Sequence, residues 1–205
     1  MSEATPLTLA DIADQRAYER ERDEFRRTVI AVKKLRRVSI GPVITATFEN
    51  RLTMRFQVQE MARAERMFSD EQIQGELDIY NRLLPASGEL SATLFLELTD
   101  DAQLRQWLPK LVRIEKAVEF RIGQPGSAEI VRSIPEADHA SHLTRETVTS
   151  AVHYIRFRFT EAQVAAFADG PVVLAVSHPQ YPEGADGIEL SPATRSELLG
   201  DLRGE

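Results

Sequence analysis

Residues 52–60, LTMRFQVQE, alternate apolar and polar side chains without a break and then set Glu60 where the next apolar residue is due. Period-two alternation predicts a half-buried strand with Leu52, Met54, Phe56 and Val58 on its inner side. Just upstream, residues 43–49 carry Ile44, Ala46 and Phe48 in one phase. Asn50-Arg51 separates the two runs, and asparagine tolerates the left-handed conformation that a tight turn needs. The pair therefore reads as a β-hairpin, which favours an antiparallel sheet. Glu60 then has two readings. If the strand continues, its carboxylate faces the core and needs a partner such as His153 or Arg63, because an unpaired buried carboxylate is costly. If the strand stops at Gln59, Glu60 opens a helix over 61–68, where the helix N-terminus favours negative charge.

Outward from this stretch, strands and short capped helices follow one another without regular alternation. Thr8 with Asp11 starts a capped turn. The long helix that follows carries Tyr18, Phe25, Val29 and Val32 on one side and is expected to lie as a lid on the sheet. Downstream, Ser69 with Gln72 makes a capping box for a helix over 71–84, and Thr160 with Gln163 opens another. Ser191-Pro192 starts a last helix with proline at its first position. A helical stripe over 104–114 contains Pro109, which lacks the donor N–H and bends or divides it. Strands are expected at 90–98, at 118–122 ending on Gly123, in AVHYIRFRF at 151–159 and in VVLAVSH at 172–178. Residues 124–149 are polar and broken by Pro and Gly, the pattern of a surface excursion, and 1–13 also read as weakly structured. No repeat or linker divides the chain. The expectation is a single α+β domain over 1–205, mostly antiparallel, with the long N-terminal helix and several shorter helices packed on the sheet.

Composition excludes several function classes. The 205 residues contain no cysteine, so thiolate nucleophiles, disulfides and Cys-ligated metal or iron–sulfur centres are ruled out. A net charge of −7 opposes general affinity for nucleic acid or anionic lipid, which rests on Lys and Arg. MSEATPLTLADIADQ lacks a basic segment followed by an apolar one, and the apolar runs are far shorter than a membrane span, so the expectation is a cytoplasmic protein binding neither membrane nor nucleic acid. The basic end of the first long helix, Lys33, Lys34, Arg36 and Arg37, is a candidate anion patch, although a solvated face with cations near the helix C-terminus explains it more simply.

No glycine-rich phosphate loop, nucleophile elbow or H-E-x-x-H motif is present. Glu136, His139, His142 and Glu146 have spacings that a helix could gather into a metal-ligand set, but the segment lacks an apolar stripe to hold a helix on a core, so no metal and no cofactor is expected. Strand phase gives better candidates. His153 shares its side with Ala151, Ile155, Phe157 and Phe159, and His178 continues the phase of Val172, Leu174 and Val176. A lone histidine on an apolar face is usually a hydrogen-bonded core residue. Together with Glu60, and with Tyr181 just beyond His178, they nonetheless form the candidate pocket.

The blocks FENRLTMRFQVQEMARAERM, GELSATLFLE, VHYIRF and HPQY resemble those of an uncharacterised bacterial family, domain of unknown function 3501, over about residues 18–181. The resemblance supplies no activity. It implies a redox or stress-related setting, through neighbouring rubrerythrin-like and iron–sulfur oxidoreductase genes. A chain without cysteine would serve there as an accessory or binding partner. The leading expectation is thus a non-enzymatic protein with an unknown protein partner or small ligand, and the alternative is an enzyme acting on a small molecule through the Glu/His pocket.

Overall fold

The computed structural model describes residues 4–136 and 148–205. A capped turn at Leu9–Asp11 leads into α1 (Gln15–Arg36), whose N-cap Asp14 accepts the N–H groups of Arg16 and Ala17. There follow β1 (Arg37–Ile40), β2 (Ile44–Glu49), α2 (Arg51–Ala64), α3 (Asp70–Tyr80), β3 (Glu89–Leu96), α4 (Asp101–Trp107), β4 (Val118–Ile122) and β5 (Glu129–Arg132). The chain ends with β6 (Ile134–Pro135), β7 (Val152–Arg158), α5 (Glu161–Asp169), β8 (Val172–Val176), β9 (Ile188–Glu189) and α6 (Pro192–Arg203). The strands form two antiparallel sheets, ordered β1-β2-β3-β7-β6 and β5-β4-β8-β9. This is the expected α+β architecture with its long N-terminal helix.

LTMRFQVQE is helix, not strand. Asn50 is the N-cap of α2: its side chain accepts the Thr53 N–H at 3.0 Å while Thr53 Oγ1 accepts the Asn50 N–H at 2.9 Å. That reciprocal pair satisfies donors that a helix start otherwise leaves open. Met54, Val58 and Ala62 recur every four residues and are all buried, so the stretch also carries a helical stripe. Topology removes the remaining choice. A strand has two edges, and β2 is already flanked by β1 and β3. The hairpin of this region lies one step earlier, β1 to β2, with Ile40 opposite Ile44 across a turn in which Gly41 has φ +67°.

The two sheets share one core. Phe120 of β4 sits at its centre, 4.7 Å ring to ring from Phe157 of β7, 5.7 Å from Phe48 of β2 and 5.8 Å from Phe167 of α5. A smaller cluster on the other side of the first sheet joins Met54 and Val58 of α2 to Leu77, Leu83 and Leu84. α1 packs on α2, α6 and β2, so it covers helices as much as sheet. α4 stops at Trp107, two residues before Pro109. Residues 124–149, expected as an excursion, contain β5 and β6: the chain leaves the second sheet at Arg132 and joins the first at Ile134. Among the described residues no helix is long and apolar enough to cross a membrane.

Candidate functional site

Glu60 lies within the third turn of α2, neither at a strand end nor at a helix start. Its carboxylate accepts from Arg22 Nε and Nη2, both at 2.8 Å, and from the Tyr18 hydroxyl at 2.7 Å. The Arg22 guanidinium, then the Tyr18 hydroxyl, hold the Glu60 carboxyl below its ordinary range. Burial, and the bond to Glu60, push the Tyr18 phenol well above its own. Glu60 thus fastens α2 to α1, and neither His153 nor Arg63 is its hydrogen-bond partner.

His153 sits on β7 opposite Leu94, facing the core and nearly free of solvent. Its Nε2 lies 3.0 Å from the Ser150 carbonyl and 2.9 Å from Thr149 Oγ1. Because a carbonyl only accepts, Nε2 carries the proton. Desolvation pushes the imidazole pKa down, opposed by the nearby Glu115 carboxylate and by the Ser150 carbonyl. Glu115 itself is buried, with one oxygen lacking any hydrogen bond among the described residues. No periodicity marks Glu115, which stands in a single 3-10 turn (Ile114–Lys116).

His178 and Tyr181 are pieces of a loop. His178 Nε2 lies 3.1 Å from the Val112 carbonyl and so donates to it, leaving Nδ1 to accept the Gln180 N–H at 3.2 Å. Tyr181 is fully buried; its hydroxyl donates to the Ile40 carbonyl at 2.7 Å and accepts the Val43 N–H at 3.2 Å, bracing the β1–β2 turn. The partners of Glu60, His153 and His178 therefore come from α1, from residues 149–150 and from residues 112 and 180. His139, His142 and Glu146 lie outside the described residues; Glu136 continues the β6 ladder, its N–H donating to the Tyr154 carbonyl.

The candidate anion patch is corrected by burial. Arg36 is fully enclosed, bonded to the Phe48 and Glu49 carbonyls, Glu197 and Asp201, so it cannot meet an external anion. Arg37 is paired with Glu97. Lys33 and Lys34 alone are left of the patch.

A buried acid also went unforeseen on the helix-covered side of the first sheet. Glu49 of β2 accepts from Thr93 Oγ1 at 2.7 Å, and its other oxygen has no hydrogen-bond partner among the described residues. Thr45, Thr47 and Ser91 lie buried on the same sheet face.

Two cavities differ in what they can hold. One of about 180 Å³ between α1, α2 and the N-terminal segment is lined by Tyr18, Gln59, Met67 and Phe68, and is smaller than ordinary ligand sites, which run to about 300–1,000 Å³. The other, about 710 Å³, opens at the end of the second sheet. Its walls are the β4–β5 turn at Gly123 and Gly126, the α5–β8 turn at Asp169 and Gly170, the β9 segment at Asp186 and Glu189, and the side chains of Arg121 and Arg195. Gly123 and Gly126 have φ +104° and +89°, so these turns need glycine and present bare backbone to the groove. Arg121 is fixed by Glu119 at 2.9 Å and by the Ala185 carbonyl at 2.8 Å; Arg195 Nη1 donates to the Gly170 carbonyl. In the sequence, residues 124–126 read only as the start of a Pro/Gly-broken surface excursion after the strand that ends at Gly123. That 169–171, 186–189 and Arg195 would face it is a long-range fact without a local signal.

Comparison with known proteins bears on the whole of this frame. Residues 6–202, which contain both sheets and the groove, match the family described as protein of unknown function (DUF3501). The chain belongs to that family. It is also similar to a solved structure, described as a novel protein of unknown function from Burkholderia pseudomallei K96243, at 36% identity and a TM-score of 0.86 over 97% of this chain and 100% of that one. No curated protein matches the chain. Family membership therefore brings a fold and no reaction.

Proposed function

We propose that this family member works by binding, as a cytoplasmic, non-enzymatic accessory protein, and that the groove at the end of the second sheet is where it binds. The groove itself carries the reading: a cavity of about 710 Å³, inside the usual range for ligand sites, walled by glycine turns and by arginines anchored on backbone carbonyls. Its described lining offers two arginines, three carboxylates and bare glycine backbone, polar groups that can fix the orientation of a bound molecule. The redox or stress-related setting implied by the family resemblance fits a partner of this kind, since a chain without cysteine brings no thiol couple of its own. The alternative, turnover of a small molecule by Glu60, His153 and His178, would require three side chains whose hydrogen bonds tie them to separate elements to meet.

The test uses the full chain and an Ala128→Trp variant, which fills the groove from its β5 side. Both are exposed to a small-molecule extract of cells and examined by native mass spectrometry and thermal unfolding. A species that binds the wild type, raises its unfolding temperature and is lost in the variant supports the reading. An extract that leaves the wild type unchanged, or binding that survives Ala128→Trp, refutes it.

A further inference from the structure

We infer that the groove takes a small zwitterion carrying a separated ammonium and carboxylate, of the amino acid or short-peptide class; this rests on the binding reading above. The observation is a set of opposite charges that line one cavity and do not neutralise one another. Arg195, on α6, gives Nη1 to the Gly170 carbonyl and has no ion pair with any described carboxylate. Asp169, at the end of α5, and Asp186 and Glu189, in the β9 segment, likewise have no ion pair with a described cation. Arg121 is the contrast: it is held in an ion pair with Glu119, which Arg132 also contacts.

Each sign of charge alone fits poorly. A simple anion held on Arg195 would stand in a cavity that also carries three unpaired carboxylates, and a simple cation among those carboxylates would share it with an unpaired guanidinium; like charges in one site cost binding energy. A ligand with both signs meets each wall with its complement. The guanidinium is suited to the carboxylate end. Anchored through Nη1, it keeps Nη2 and Nε for the two-pronged geometry that arginine makes with carboxylates. The acids, contributed by different elements, supply acceptors for the three donors of an ammonium group. Bare backbone at Gly123, Gly126 and Gly170 allows the body of the ligand to lie close to the wall, and the volume is ample for a dipeptide.

The experiment titrates the full chain at low salt with three probes, alanyl-alanine, its N-acetyl form and its C-terminal amide, followed by calorimetry. The free dipeptide should bind at least tenfold more tightly than either blocked form. Asp169→Asn, at an exposed side chain without a packing role, should weaken the free dipeptide and the amide severalfold and leave the acetylated form unchanged. Arg195→Ala should weaken the free dipeptide about tenfold and leave the amide unchanged. The inference is overturned if a blocked form binds as well as the free dipeptide, or if the free dipeptide shows no saturable binding up to millimolar concentration. If an extract component still binds the wild type and is lost in Ala128→Trp, that second result removes the zwitterion while the binding reading stands.

Discussion

Replacing Arg36 by methionine removes the most enclosed charge described in the chain. The guanidinium donates from Nε to the Phe48 carbonyl at 2.9 Å, from Nη2 to the Glu49 carbonyl at 3.2 Å and to Asp201, and from Nη1 to Glu197 at 3.0 Å. Methionine retains much of the packing of the stem but deserts two carbonyls and the Asp201 carboxylate, which is only 12% exposed. Removing one partner of a buried pair costs about 3–5 kcal/mol. Asp201, whose pKa burial already pushes up against the pull of Arg36, relieves part of that by taking a proton. A net loss of about 4 kcal/mol is expected, close to the whole stability of a weakly stable domain at the low end of about 5–15 kcal/mol. In urea unfolding followed by circular dichroism at neutral pH, the midpoint should fall by about 2 M for a slope of about 2 kcal/mol/M. Adding Asp201→Leu should return about 2 kcal/mol, because the stranded carboxylate is then gone. A loss below about 1 kcal/mol for Arg36→Met would refute the reasoning, since it would mean that α1 is not fastened to α6 through this group.

His153 gives a pH dependence of defined sign. Its folded pKa lies below the unfolded value, so the unfolded chain binds the extra proton and stability falls as pH drops below the unfolded value of about 6.5. Unfolding midpoints at about pH 7.5 and 5.5 should differ more for the wild type than for His153→Gln, and equal differences would contradict the placement. Glu60→Gln should cost about 1–2 kcal/mol in the same assay: its pair with Arg22 is about a quarter exposed on each side and screened, while Tyr18 keeps an amide oxygen to donate to. A loss near 4 kcal/mol would show a far drier site. Gly41→Ala should cost at least about 2 kcal/mol, from a left-handed backbone worth about 1–2 kcal/mol and from a Cβ set 2.5 Å from the Tyr181 hydroxyl oxygen. Calorimetric unfolding checks it, and Gly41→Ala with Tyr181→Phe should cost less than the two changes summed.

The apolar phases of β3, β4, β7 and β8 and the caps at Ser69, Thr160 and Ser191 were legible because each depends on neighbours within a few residues. LTMRFQVQE was not, because two periods fit it. Leu52, Met54, Phe56 and Val58 alternate, while Met54, Val58 and Ala62 make a helical stripe; Phe56 belongs to the helix by meeting Phe25 of α1 edge to face at 5.7 Å. The local signal that decides is the Asn50/Thr53 box, followed by residues 51–64 without glycine or proline. Arg36 was hidden inside a charged run, since only the docking of α6 turns its position in the last helical turn into an interior one. Glu115 and Glu49 look like surface acids in the sequence, and only the folded chain encloses them. The groove joins residues 121–128 to 169–195, and no local pattern encodes that meeting.

The strand that changes sheets has a consequence for how the molecule can come apart. At the crossover Ser133 sends its N–H to the Val118 carbonyl at 2.9 Å and its hydroxyl to the Glu115 carbonyl at 2.8 Å, with β5 paired to β4 on one side and β6 to β7 on the other. Peeling either sheet tugs on a strand that the other still holds, and it exposes the Phe120 cluster from both directions at once. Sub-global opening of one sheet alone therefore gains little chain entropy for the apolar surface it uncovers. The central amides of β3 and β8 should exchange with deuterium at a common opening free energy equal to that of global unfolding, so that the two sheets form a single foldon.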